Sequence, residues 1–327
     1  MSRFFPEHVM IIAEVGSNHD GSLDTAFALI DMAAAAGADV VKFQSFLADD
    51  LLAADDPNHA RIKSLELPRD WYGRLMDHCA ARGVTFLSTA TNDTTIGWME
   101  DLGVAAYKIA SCNITHQPLI DRLAAIGKPI IASAGMADLD EVVAFEAGLR
   151  AAGHAEHAVL HCVAEYPTQP KDLHLGHITT LKGALACPVG FSDHSPGAHM
   201  AVAAVALGAR IVEKHISLDK SGAGMDHEVA VLPDVFRDLC RGVRDAEAAL
   251  DADFRADPRT VFTMRRSVRF ARDLPAGAVV AATDLKVTRP EDGLAPATLP
   301  ALAGRRLAVA VSANQPTSWD LFEGGAP

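Results

Sequence analysis

One grammar recurs along this chain: an alanine- and leucine-rich stretch of helical length, a glycine, then a short apolar run. It reads AAAAGADVVKF, CAARGVTFLS, LAAIGKPIIAS and VALGARIVEKH. The glycine stops a helix and the apolar run supplies a strand, so the chain is expected to consist of serial βα units. Strand-like runs begin near Val9, Val40, Val84, Ala106, Pro129, Ala158, Pro188 and Arg210. Most are apolar on both faces, as strands covered on both sides require. Helical segments span Thr25–Ala36, Asp70–Ala81, Gln117–Ala125, Leu139–Ala151, Ala198–Leu207 and Pro233–Leu250. Eight units favour an α/β fold of the closed (β/α)8 TIM-barrel type over an open doubly wound sheet. No G-x-G-x-x-G follows the first strand, which further weakens a dinucleotide-binding reading.

In such a barrel the C-terminal strand ends open on one face, and the polar residues of this chain stand there. Ile11-Ile12-Ala13 runs into Glu14, Val40-Val41 into Lys42 and Gln44, and Phe86-Leu87 into Ser88-Thr89. Tyr107 leads to Lys108 and Ser111, and Ile130-Ile131 to Ser133. His161, Glu165-Tyr166, Ser192-Asp193-His194 and Glu213-Lys214-His215 close the later runs. These side chains are expected to converge on a single pocket, which makes the chain readable as an enzyme.

The grammar ends after Leu250. Residues 251–264 are polar, carry Pro258 and show no periodicity, so they read as a linker between a barrel at 1–250 and a mostly β module at 265–327. At about 60 residues the module is small for independent stability, so it is expected to dock on something. The formal net charge of −13 argues against a general nucleic-acid binder. It leaves room for an anionic small substrate, because a few lysines can dominate a cleft. The N-terminal MSRFFPEHVM lacks the h-region of a signal peptide, and no apolar stretch reaches membrane-spanning length. Five scattered cysteines (Cys79, Cys112, Cys162, Cys187, Cys240) form no C-x-x-C pair, and a reduced cytoplasmic protein is the expectation.

His194 and His215 lie at successive strand ends, where two neutral imidazoles suit a divalent metal or simply hydrogen-bond within the barrel mouth. Asp193 either orients a ligand or caps the next helix. Lys42, Lys108 and Lys214 are costly to bury unpaired. They point to a phosphate or carboxylate pocket aided by the hydroxyls of Ser88, Thr89, Ser111, Ser133 and Ser192. They fit equally an internal set of ion pairs with Glu14, Asp193 or Glu213, or a Schiff-base lysine. Alternation along I-V-E-K-H-I-S puts Glu213 and His215 on one face and Lys214 on the other, so Lys214 is expected to face the helices or the rim, paired with an acid. Glu14 is a candidate general acid/base or hydroxyl-binding carboxylate. The loop DKSGAGMDHEVA reads either as a lid or as a solvated turn.

The segments IIAEVGSNHDGSLDTA, GADVVKFQSF, AAYKIAS, GKPIIASAGM, LHCVAEYPT, PVGFSDHSPG, GARIVEKHISLDKSGAGMDHEVA and VTRP together resemble the sialic acid synthase family. Its members condense phosphoenolpyruvate with an N-acetyl amino sugar to give a nonulosonic acid and phosphate. The terminal module is similar to that family's antifreeze-like (SAF) domain. The resemblance implies that His194 and His215 hold a divalent metal, Mn²⁺ foremost, with Mg²⁺ or Co²⁺ as alternatives. It implies that Lys42, Thr89, Lys108, Ser111, Ser133 and Ser192 cradle phosphoenolpyruvate, with Glu14 and Lys108 catalytic. Glu14, Gln44, Tyr166 and Asp226 would contact the open-chain sugar, joined by Arg289 from the partner of a domain-swapped homodimer. The competing readings are a Schiff-base aldolase using Lys108 or Lys42, and a silent member that binds a sugar or a partner protein.

Three places depart from the family pattern. Cys112-Asn113 replaces a Gly-Glu pair, Ala90-Thr91-Asn92 a Pro-Phe type segment, and Ala164-Glu165 a segment that often carries Asn. All lie at strand ends, so they bear on the identity of the sugar, with legionaminic- or pseudaminic-type products open.

Overall fold

The computed structural model describes residues 4–222, 224–251 and 255–327. It divides into two units, Met1–Asp251 and Ala252–Pro327. In the first, eight parallel strands close into a barrel in chain order: β1 (Met10–Gly16), β2 (Val40–Gln44), β3 (Thr85–Thr89), β4 (Tyr107–Ile109), β5 (Ile130–Ser133), β6 (His157–Cys162), β7 (Val189–Asp193) and β8 (Ile211–His215). Strand β8 returns to pair with β1, from Met10 opposite Ile211 to Glu14 opposite His215.

Each strand alternates with a period of two, and the alternation sorts its residues into layers. Met10, Ile12, Val40, Leu87, Ile131 and Ile211 form an apolar floor inside the barrel, with Phe4 and Phe5 packed against it. One step further along the same inward faces come Glu14, Lys42, Thr89, Ser133 and Glu213. The opposite faces, with Ile11, Val41, Phe43, Ile130, Val159 and Val212, join the larger core shared with the helices. The floor lies toward the N-terminal ends of the strands, and the cavity opens at the other end, where the polar residues stand.

The helices follow their caps. The helix Leu23–Ala36 begins with the Ser22 side chain accepting from the Thr25 N–H and ends at Gly37, whose φ of 101° suits glycine. Leu139–Ala151 starts with a capping box made by Asp138 and Glu141. Two further helices, Asp93–Leu102 and His177–Ala184, carry weak helical signals. The first contains two threonines and Gly97, and burial of Ile96 and Met99 in the core outweighs that poor propensity. Among the described residues, no helix is long and apolar enough to cross a membrane.

The stretch expected to be an irregular linker contains a short helix, Pro258–Met264, started by Asp257 accepting from the Arg259 and Thr260 N–H groups. Pro258 lies within its first turn, where a missing N–H costs nothing, so the proline reads as a start rather than a break. Residues 252–254 of that stretch lie outside the described residues. The second unit has one antiparallel pair, β9 (Ser267–Phe270) and β10 (Leu285–Thr288), with isolated bridges such as Leu274–Val311 and Leu307–Phe322. Its own core gathers Val268, Phe270, Val280, Leu302, Leu307 and Phe322. Arg289 follows directly after β10.

Candidate active site

A cavity of about 460 Å³ opens at the C-terminal ends of the strands. It is lined by Glu14, Lys42, Gln44, Thr89, Lys108, Ser111, Ser133, Tyr166, Ser192, His194, His215 and Asp226, the expected site residues of the first unit. Arg289 belongs to the second unit.

The floor of the cavity is a charge array. Lys42 Nζ stands 3.1 Å from Glu14 Oε2 and 3.5 Å from Glu213 Oε2, and Lys108 Nζ stands 3.8 Å from Glu213 Oε1. Lys108 also donates to Ser133 Oγ at 2.6 Å and to the Ile109 carbonyl at 3.1 Å. Ser192 Oγ donates to Glu213 Oε1 at 2.8 Å, and Gln44 Nε2 to Glu14 Oε1 at 2.8 Å. Two cations thus face two anions, all buried. Neighbouring strands β1, β2 and β8 bring Glu14, Lys42 and Glu213 together, so the array exists only because the barrel closes.

Burial and the neighbours divide the two carboxylates. For Glu14, loss of water outweighs the pull of Lys42, and with Glu213 adding repulsion its pKa rises to about 7. For Glu213, burial pushes the same way, but Lys108 and Lys42 together bring it down to about 2. Burial also disfavours the charge on Lys42, yet Glu14 and Glu213 hold its pKa above the ordinary value. Lys108, with Glu213 as its main counter-charge, falls below its ordinary value because burial prevails. A proton is therefore most easily moved at Glu14.

The two histidines meet as expected, their ring centroids 5.4 Å apart. Burial, then the neighbouring His215, lowers the His194 pKa to about 4, and burial lowers that of His215. Nδ1 of His194 lies 2.8 Å from the Val163 carbonyl, which assigns a proton to Nδ1 and leaves Nε2 with a lone pair. His215 Nδ1 is buried and makes no hydrogen bond; Asp226 Oδ2 lies 3.9 Å away. Two neutral rings with unused lone pairs fit a divalent metal. Tyr166 stacks on His194 at 4.1 Å between centroids and is half exposed, so its ring forms part of the cavity's mouth.

Gly16 shapes the wall beside them. Its φ is +56°, and a Cβ there would lie 2.4 Å from Asp226 Oδ2. Only glycine lets Asp226 reach back over β1, where the backbone N–H and hydroxyl of Ser17 both lie 3.3 Å from Oδ2. The loop bearing Asp226 is strapped down rather than a solvated turn. Asp20 Oδ1 accepts from the Gly224 N–H at 2.7 Å and lies 2.9 Å from His227 Nε2. Lys220 Nζ donates to the carbonyls of His227 and Glu228. Ala223, within this loop, lies outside the described residues.

Several strand-end residues turn out of the cavity. Lys214 does so as the alternation requires, fully buried 2.9 Å from Asp193 Oδ2. Asp193 therefore neither orients His194 nor caps the next helix: its other oxygen accepts from Ser195 N and Oγ. Ser88 does not join the hydroxyl set; its Oγ lies 3.1 Å from the Phe43 carbonyl and 2.6 Å from Ser45 Oγ. His161 also turns outward, stacking on Phe191, and gives its inward place to Cys162. Sequence reasoning places Glu213 on the face of His215 without giving it a role, and passes over Cys162, although counting by twos from Leu160 finds it. Phe46, His116 and Met136 from loops, and Asp50 and Leu51 from the short helix Ala48–Leu51, also line it, and none carries strand periodicity. Among the departures from the family pattern, Thr91, Cys112, Asn113 and Ala164 line the cavity, whereas Ala90 is core and Asn92 caps the following helix.

Residues 29–254 match the NeuB family model, and residues 265–323 match the SAF domain. The spore coat polysaccharide biosynthesis protein SpsE of Bacillus subtilis (strain 168) is 40% identical over 255 residues, covering 74% of this chain and 68% of the relative. An N,N'-diacetyllegionaminic acid synthase of Legionella pneumophila is 35% identical over 335 residues, covering 96% and 94%. A crystal structure of the N-acetylneuraminic (sialic) acid synthetase of Leptospira borgpetersenii in complex with citrate has a TM-score of 0.74 at 30% identity, covering 78% of this chain and 89% of that one.

Proposed function

We propose, for a chain that belongs to the NeuB family and ends in a SAF domain, a phosphoenolpyruvate-dependent synthase of nonulosonic acids. It joins phosphoenolpyruvate to the open-chain aldehyde of an N-acetylated amino sugar, giving a nine-carbon 2-keto sugar acid and phosphate. The observation that carries this reading is the buried array of Lys42, Lys108, Glu14 and Glu213 under two neutral histidines in one cavity.

Lys42 and Lys108 supply the positive charge for the phosphate and carboxylate of phosphoenolpyruvate, with hydroxyls from Thr89, Ser111, Ser133 and Ser192. An arriving anion competes with Glu14 for Lys42. Because Glu14 titrates near neutrality, it can take up a proton and release Lys42 to the substrate. Glu213 stays ionised and keeps both lysines in place. Gln44 orients Glu14 beside the sugar, and Tyr166 and Asp226 face the same side. The enol carbon attacks the aldehyde carbon, water adds at C2, and the tetrahedral intermediate expels phosphate. The developing phosphate charge is met by the lysines, and Glu14 handles a proton at the new hydroxyl or the attacking water. His194 and His215 would hold a divalent metal of the manganese type, which supplies Lewis-acid polarisation of the sugar aldehyde when bound.

Phosphate release across singly and doubly N-acetylated hexoses, with chelator and with Mn²⁺, tests the reading. Release with at least one sugar, lost on chelation and restored by Mn²⁺, is expected; none with any sugar would sink it. Lys108's lowered proton affinity also favours a Schiff-base lysine, and a borohydride-trapped adduct on Lys108 would replace the metal route. The likeness to an N,N'-diacetyllegionaminic acid synthase supports a doubly N-acetylated acceptor for this chain. Arg289 acts in the partner's pocket of a domain-swapped dimer. Mixing inactive Arg289→Ala with inactive His215→Ala chains is expected to restore turnover, and mixtures as dead as their parents would count against the swap.

A further inference from the structure

Away from the C-terminal cavity, Glu146, His157 and Cys187 each offer one ligand atom, and the three atoms lie within 4.8 Å of one another. Glu146 comes from the helix Leu139–Ala151, His157 is the first residue of β6, and Cys187 stands two residues before β7. The cluster therefore lies at the N-terminal end of the strands, opposite the face where the cavity opens. Glu146 and His157 are each only 4% exposed, and Cys187 is partly exposed.

The polar atoms here are unsatisfied. Glu146 Oε1 and both ring nitrogens of His157 are buried without a hydrogen bond, and Oε1 stands 3.5 Å from Nε2. The other Glu146 oxygen faces Arg150 at 3.8 Å, which leaves Oε1 free to turn inward. Burying a carboxylate oxygen and an imidazole without partners is unfavourable, and a cation held between them and the adjoining thiol relieves both. A carboxylate, an imidazole and a thiol are the donor types of a borderline-soft ion, with the partly exposed side leaving room for water as a fourth ligand.

We propose that Glu146, His157 and Cys187 form a second metal site, of zinc type, that staples the helix before β6 to the starts of β6 and β7. Binding converts the Cys187 thiol to a thiolate and releases its proton to solvent; nothing is oxidised or reduced. The thiolate and carboxylate together balance the ion's two positive charges. With a thiolate in its donor set, this site prefers Zn²⁺ or Co²⁺, in contrast to the histidine pair of the cavity.

Co²⁺ added to the full-length, metal-stripped chain tests this directly, because a thiolate ligand gives a near-ultraviolet charge-transfer band. The band is expected in the wild type and in the double variant Cys112→Ala/Cys162→Ala, which removes both thiols of the cavity, and is expected to be lost in Cys187→Ala and His157→Ala. No band in the wild type, or a band that survives Cys187→Ala, would overturn the proposal. A second measurement needs no variant. With free Zn²⁺ at about ten times its dissociation constant, about a tenth of the Cys187 thiols stay free, so alkylation at Cys187 slows about tenfold. An alkylation rate indifferent to Zn²⁺ would equally refute the site.

Discussion

Lys108 and Lys214 are both among the most deeply buried side chains of the barrel, and they have opposite fates. Lys108 turns inward, shares Glu213 with Lys42, and stands in the cavity. Lys214 turns outward and closes a private pair with Asp193 outside that cavity. Burial lowers the proton affinity of both, so the property usually taken to flag a functional lysine does not separate them. What separates them is the company: Lys108 faces an array open to a ligand, and Lys214 a partner already committed to it. Strand parity, not burial, marks the lysine that reaches the cavity.

The sharpest way to break this contrast is Lys108→Ala. Phosphate release is expected to fall by about 10³-fold or more, since a pre-organised charge facing the departing phosphate is lost. A fall under tenfold would put Lys108 with Lys214. Lys214→Met should instead cost roughly 3–5 kcal/mol of stability, read as a lower midpoint of unfolding, because Asp193 is left buried and unpaired. Turnover of the folded variant is expected to stay near wild type. Glu14→Gln is expected to slow turnover by about 10²-fold and to remove the inflection near pH 7 from the pH–rate profile. An unchanged profile would move the proton elsewhere.

The smallest effect concerns His194 in the metal-free chain. Its pKa is about 4 when folded against about 6.5 for a free imidazole, so between these values the unfolded chain binds the proton that the folded one refuses. Stability is therefore fully present above about pH 6.5 and lost as pH falls towards 4, by about 3 kcal/mol. Unfolding midpoints of wild type and His194→Asn across this range should converge at low pH, and parallel curves would show that His194 does not carry the difference.

Much of the inner array was legible beforehand. The strand starts fall within one residue of expectation, and counting by twos along β8 correctly turns Glu213 and His215 inward and Lys214 outward. The same count was available for Ser88 and Asp193, whose position at strand ends suggested a site that their parity denies. Asp50, His116 and Met136, which line the cavity from outside the strands, had no such rule to reveal them.

Alternation and helix stops are local properties, fixed within a few residues, and so the sequence by itself determined eight βα units and the face on which each strand side chain stands. Which faces meet is not local. Lys42 finds both Glu14 and Glu213 only because β8 closes onto β1, across about 200 residues of chain. Closure likewise brings Asp226 over Gly16, whereas Glu146, His157 and Cys187 meet at the other end of the barrel through the direct pairing of β6 with β7 and the helix before β6. Charge pairing depends on distance in space, so the pKa values that separate Glu14 from Glu213 were decided by the tertiary structure alone.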